Sequence, residues 1–83
     1  MSVWTYILQS KKDGSFYVGI TNRLVQRIKE HNAGRNRSTT RMRPWNLVYK
    51  EKHEDYKIAR KREKYLKSGV GRNWMKETFG EKH

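Results

Sequence analysis

Arg27 and His31 stand four residues apart in the stretch "YVGITNRLVQRIKEHNAG", and Glu63 sits within "ARKREKYLK". Each breaks the pattern around it. At about 100° per residue with Leu24 at zero, Ile28 falls near +40°, His31 near −20° and Arg27 near −60°. His31 therefore lies within the apolar stripe and Arg27 on its edge, leaving Gln26, Lys29 and Glu30 to solvent. In the second stretch, with Ala59 at zero, Leu66 falls at about −20°, Glu63 at about +40° and Tyr56 at about +60°. Glu63 thus shares the apolar face, although Lys57, Arg60, Lys61, Arg62, Lys64 and Lys67 surround it. Two readings stand side by side. Arg27 and Glu63 could form a structural ion pair under the sheet, since a buried charge is costly unless paired. Alternatively, Glu63 holds a hard divalent cation, because Mg²⁺ takes only one or two protein carboxylates and completes its shell with water and phosphate oxygen. On that second reading Arg27 neutralises charge developing on a phosphorus atom, and His31 relays a proton. Tyr6 and Tyr17 supply phenols whose high intrinsic pKa a nearby cation and histidine would offset. The chemistry that fits is phosphodiester hydrolysis.

These side chains need a scaffold that brings them together. "VWTYILQS" and "SFYVGI" read as strands joined at Asp13-Gly14, a strong hairpin signal. A two-residue turn there pairs residues whose numbers sum to 27. Any odd sum places Tyr6 and Tyr17 on one sheet face, because side chains alternate with period two. Thr21 or Asn22 is expected to cap a helix over Arg23 to Ala33, with Gly34 just past its end. "RNRSTTRMRP" follows as a basic loop. "WNLVYKE" reads as a third strand with Trp45, Leu47 and Tyr49 on one face. Asp55 opens a second helix to Ser68, with Gly69 as its stop, and "GRNWMKETF" forms a short last helix. The predicted fold class is α+β: a three-stranded, mostly antiparallel sheet flanked by helices, in the order strand, strand, helix, strand, helix, helix. Trp4, Trp45 and Trp74 are assigned to the core; His53, His83 and Met42 carry no readable signal.

Composition sets the outer limits. Eighty-three residues fit one domain, 1–83, which buries roughly 60–65 % of its unfolded surface. The absence of cysteine excludes disulfides and thiolate metal sites. The N-terminal residues do not read as a signal peptide, and no run approaches the ~20 apolar residues that span a bilayer, so a cytoplasmic location and no membrane partner are expected. A net charge of +12 favours polyanions through counterion release. Nucleic acid is the expected partner.

The motifs taken in order resemble those of the GIY-YIG nuclease superfamily, and in particular its small stand-alone bacterial members. "TYI" at residues 5 to 7 stands where the namesake reads Gly-Ile-Tyr, and "YVG" at residues 17 to 19 is the second half-motif. Arg27 follows Tyr17 by ten residues and His31 by four more. The likeness runs from Val3 to about Met75. It implies a metal-dependent DNA endonuclease of low sequence specificity, with repair or recombination as its setting. By this resemblance Tyr17 is a candidate general base and Tyr6 positions or shares that role. Arg27 is the catalytic arginine, His31 assists the tyrosine, and Glu63 is the one ligand of a single Mg²⁺ or Mn²⁺. Gly19 admits a close approach at the site, and Asn73 stands at the family's late asparagine. Larger relatives attach a DNA-targeting domain, so this chain would cut with little preference or depend on a protein partner. Arg35, Arg37, Thr39, Thr40, Arg41 and Arg43 of the basic loop are expected to contact phosphates. The other function class to weigh is a nucleic-acid-binding module with the same fold and little turnover.

Overall fold

A computed structural model describes residues 2–80. The elements are β1 (Val3–Ser10), β2 (Phe16–Thr21), α1 (Leu24–Asn32), a short 3₁₀ turn (Thr40–Met42), β3 (Trp45–His53), α2 (Tyr56–Lys67) and α3 (Gly69–Phe79). The sheet is wholly antiparallel with strand order β2-β1-β3. The architecture is therefore the α+β arrangement the sequence predicts, in the same element order.

The hairpin register is shifted by two residues from that of the two-residue turn. Trp4 pairs with Thr21 and Gln9 with Phe16, a sum of 25 rather than 27. The cause is the chemistry of residues 10–15. The Ser10 Oγ accepts from the amides of Lys12 and Asp13, and the Asp13 carboxylate accepts from the Ser15 amide at 2.9 Å. These bonds hold a wider turn, closed by Gly14 at φ +81°. The sum stays odd, so Tyr6 and Tyr17 keep one face.

That face and its opposite form two cores. Tyr6, Leu8 and Trp45 pack with Tyr17, Leu24, Ile28, Met42 and Leu47 beneath α1. Ile7 and Val18 pack with Leu66 and Met75 of α2 and α3 on the other side, where Phe16, Val48, Tyr49, Trp74 and Phe79 join them. A bulge in β3 departs from simple alternation. Ile7 pairs with Tyr49 but Leu8 with Leu47, so the extra residue sends Leu47 to the α1 core and Tyr49 to the other. Trp45 is buried, whereas Trp4 and Trp74 are only half-buried.

Helix ends refine the sequence reading. Neither Thr21 nor Asn22 is the N-cap of α1; Arg23 is, without a side-chain cap, while the Thr21 hydroxyl accepts from the Arg23 amide at 3.0 Å. The C-terminus closes as a Schellman motif. Gly34 has φ +83°, its amide donates to the His31 carbonyl, and the Arg35 amide donates to the Glu30 carbonyl. Asp55 caps α2 by accepting from the Ile58 amide at 3.0 Å. Gly69 does not stop the chain but begins α3, because Ser68 ends α2 and caps α3 through the Gly71 amide. At Gly71 a Cβ would lie 2.4 Å from the Leu66 Cα; only glycine lets α3 turn this tightly on α2. No described helix is long and apolar enough to cross a membrane. His83 lies outside the described residues.

Candidate active site

Tyr6 is the centre from which the site is built. It lies on the middle strand with its side chain buried, and its cross-strand partner is Gly19. A Cβ on Gly19 would stand 2.6 Å from the Tyr6 Oη and 3.1 Å from the Tyr17 Cε2. The missing side chain is thus the space the Tyr6 phenol occupies. Above that phenol the Tyr6 Oη and His31 Nε2 are 3.0 Å apart, and the His31 Nδ1 is 2.8 Å from the Thr39 Oγ1. Both His31 and Thr39 are fully buried.

Hydrogen-bond counting fixes the protons. The Thr39 hydroxyl donates to the Asn36 carbonyl at 3.3 Å, so the same oxygen accepts from His31 Nδ1–H. Nε2 is then left with a lone pair, and the Tyr6 O–H donates to it. The electrostatics agree. Burial and then the Arg27 charge hold His31 below its ordinary value, with Glu30 partly opposing, so the ring is neutral near pH 7. The Tyr6 phenol is pushed up to about 12, first by burial and then by Tyr17, with Arg27 pulling down and Glu63 adding to the rise. The pair is a protonated phenol poised on a neutral imidazole, so at Tyr6 burial outweighs Arg27 and the lowering expected from a nearby cation is reversed.

Tyr17 stands beside this pair, half-buried, with its ring 4.8 Å from that of His31 and 6.4 Å from that of Tyr6. Arg27 is not in an ion pair with Glu63. Its Nη1 donates to Glu30 of the same helix at 3.0 Å and its side chain is 36 % exposed, lining a cleft with Thr21, Arg23 and Gln26. Glu63 is 14 % exposed and is paired with Lys67 at 3.0 Å and Arg60 at 3.7 Å. It is carried by α2, which packs through Leu66 on the sheet face opposite to α1, and its charge is the smallest of the contributions acting on Tyr6. Among the described residues no three His, Cys, Asp or Glu side chains cluster as a metal site. The donor set here is one carboxylate, which suits only a cation that keeps water and substrate oxygen in its shell.

The basic loop divides. Arg35, Arg37, Arg41 and Arg43 are exposed. Thr39 faces inward to His31, so it does not present its hydroxyl to a bound phosphate. The Thr40 hydroxyl is spent on the Gly34 and Asn36 carbonyls. Arg43 bonds the Thr40 carbonyl through Nε and packs over Gly34. Asn73 is exposed on α3. Sequence reasoning missed Asn36 and the inward role of Thr39; their signal was only a turn-forming Asn followed three residues later by Thr.

The fold thus gathers two phenols, a neutral histidine and an arginine beneath α1 and carries a lone carboxylate on α2. The GIY-YIG catalytic domain family matches residues 2–77, and the chain belongs to that family of nucleases. A UPF0213 protein of Bacillus cereus is 46 % identical over 56 residues, which cover 66 % of this chain and 58 % of that protein. A UPF0213 protein of Clostridium perfringens is 48 % identical over 65 residues, 77 % of this chain and 69 % of that one. The solution structure of a UPF0213 protein from Bacillus halodurans superposes with a TM-score of 0.56 at 31 % identity, over 96 % of this chain and 87 % of that one. The matched region spans 58 % of the length of the Bacillus cereus relative.

Proposed function

We propose that this chain is a divalent-metal-dependent endonuclease that hydrolyses DNA phosphodiester bonds with low intrinsic sequence preference. The observation that carries the reading is the Tyr6–His31–Thr39 chain of 3.0 and 2.8 Å, set beside Arg27 in a member of a nuclease family.

The steps assigned to the chain's own residues are few. As water attacks phosphorus, the Tyr6 oxygen takes the water's proton while passing its own to His31 Nε2 in one concerted relay, because a phenol pushed up to about 12 does not ionise beforehand; Tyr17 shares the activation of that water. Arg27 stabilises the negative charge that builds on the phosphoryl oxygens through the guanidinium face that Glu30 does not use. The bond from phosphorus to the leaving sugar oxygen breaks and that oxygen takes a proton from solvent. Glu63 would hold a single Mg²⁺ or Mn²⁺, which when bound polarises a phosphoryl oxygen and stabilises the leaving alkoxide; Lys67 and Arg60 would have to yield the carboxylate. Arg35, Arg37, Arg41 and Arg43 track the DNA backbone. A protein partner that supplies targeting belongs to this reading, and repair or recombination is the setting this activity suits.

Incubation of supercoiled and branched DNA with the protein and Mg²⁺ or Mn²⁺, alongside Glu63→Ala and Arg27→Ala, tests this directly. Cleavage by the wild type and its loss in both variants is expected. Cleavage that persists in both variants would sink the reading, and intact DNA binding without cleavage by the wild type would favour a binding module instead. If about five phosphates are neutralised, log K should fall against log salt with a slope near −4.5.

A further inference from the structure

A second cleft of about 600 Å³ opens between the β1–β2 hairpin and α2–α3. Its floor is apolar, made by Phe16, Val18 and Met75, and its rim carries Lys67, Arg72 and Lys76. None of the roles above uses Arg72 or Lys76, and neither is paired with a carboxylate among the described residues. Asp13 also lines the cleft, but its carboxylate is turned onto the Ser15 amide and hydroxyl. The cleft lies across β2 from the candidate active site: Tyr17, whose ring packs under α1, also contributes to its wall, and Lys67 on its rim is bonded to Glu63.

We propose that this cleft seats an unpaired strand of nucleic acid, two or three nucleotides running away from the scissile phosphate, so that the preferred substrate carries a single-stranded flank. The inference rests on the nuclease reading for the position of the scissile bond, but the cleft's own chemistry names the occupant. An apolar floor with the partly exposed Phe16 ring at its edge takes the flat face of a base without reading its sequence, and the cations of Arg72 and Lys76 track phosphates. A duplex keeps its base faces stacked on one another and has none to offer this floor. The volume is within the range of small-molecule and nucleotide sites. An acidic peptide would find the cations but no partners for its backbone amides among Phe16, Val18 and Met75.

The test is fluorescence anisotropy in EDTA, where nothing is cut, with a labelled duplex that is either blunt or ends in a short single-stranded tail. The wild type is expected to bind the tailed form about tenfold tighter, and the double variant Arg72→Ala/Lys76→Ala to lose that advantage while holding the blunt duplex unchanged. The salt slope for the tail should fall by about 1.4 in the double variant, from two lost single-strand phosphate contacts. Equal affinity of the wild type for both DNAs would overturn the proposal, as would an unchanged preference in the double variant or full competition by a poly-glutamate peptide. Circular dichroism of the double variant, whose changed side chains are exposed, checks that folding is intact. Because no step needs catalysis, failure of the nuclease reading would show as absent cutting with the tail preference retained.

Discussion

Two polar clusters sit on opposite sides of the sheet, and they use almost the same residue types. In one, Tyr6, His31, Arg27 and Glu30 gather beneath α1. In the other, Tyr49, His53, Arg62 and Glu51 gather between β3 and α2. The arginines are equally exposed, at 36 % and 34 %, so accessibility does not separate them. What differs is the place of the carboxylate. Glu51 is the hub of its cluster: the Arg62 Nε donates to both its oxygens at 3.0 and 3.1 Å, the Tyr49 hydroxyl donates to it, and the His53 Nε2 lies 3.2 Å away. Burial opposes ionisation there, but the Tyr49 and Arg62 hydrogen bonds prevail and hold Glu51 below the ordinary carboxylate range. The Glu51 and Arg62 charges are spent on each other, although the buried His53 Nε2 makes no hydrogen bond. Beneath α1 the phenol meets a neutral imidazole instead, and Glu30 takes only one Nη of Arg27. The same side chains thus make a closed structural knot on one side and a set with unused proton-transfer and charge-stabilising capacity on the other.

Removing the two arginines breaks the comparison most sharply. Arg27→Ala is expected to lower the rate of DNA cleavage by about 10²–10³, the loss typical of one transition-state donor. Arg62→Ala should leave that rate unchanged and cost about 1 kcal/mol of stability, since a partly exposed ion pair is worth little even when hydrogen-bonded. Cleavage kinetics and thermal melts of the two variants decide it; equal losses of rate would mean that the knot also takes part in catalysis. His31→Ala should follow at about 10²-fold, the lower range for a positioned proton acceptor.

Gly19→Ala comes next. The new Cβ cannot fit 2.6 Å from the Tyr6 Oη, so the phenol must move off His31 or the strand must shift, at about 1–3 kcal/mol. A lowered melting temperature together with slower cleavage is expected. A neutral effect on both would mean that the Tyr6 ring is not held where the α1 core places it.

Much of this was legible before the fold. Alternation placed Tyr6 and Tyr17 on one face because any odd register does so, and the two-residue shift at the hairpin left that result intact. Helical periodicity found His31 and Glu63 on apolar faces. It did not find their partners. An ion pair between Arg27 and Glu63 was a fair expectation from charge alone, but neighbours on their own helices, Glu30, Arg60 and Lys67, are nearer and cost less chain entropy to recruit. The β3 bulge was illegible because an apolar run of Leu47, Val48 and Tyr49 reads equally well in either register. Thr39 was read as a phosphate contact since Ser, Thr and Arg in a loop suggest an anion site. Only the three-dimensional turn at Asn36 shows that its hydroxyl faces His31.

Thr39→Val would sharpen the contrast at a smaller scale. Valine keeps the buried shape and removes the oxygen that accepts from His31 Nδ1, so the ring is free to carry its proton on Nε2 and lose its grip on the Tyr6 proton. About a tenfold drop in cleavage rate is expected, with Thr39→Ser restoring it; equal loss in both variants would assign Thr39 to packing alone.

The smallest effect is in the pH dependence of stability, and its sign follows from His31. Burial and the Arg27 charge place its folded value below the ordinary 6.5, whereas in the unfolded chain it titrates at about that value. Between the two values the unfolded state binds the extra proton, so stability rises with pH there. The contribution is complete above about 6.5 and is lost as pH falls through the folded value, while Tyr6 stays a phenol throughout. Denaturant titrations of the wild type and of His31→Gln at pH 7 and pH 5 measure this. The wild type should lose more stability between those pH values than the variant. A wild type that gains stability on acidification relative to the variant would mean that His31 is charged in the folded protein, and the imidazole could then not accept the Tyr6 proton.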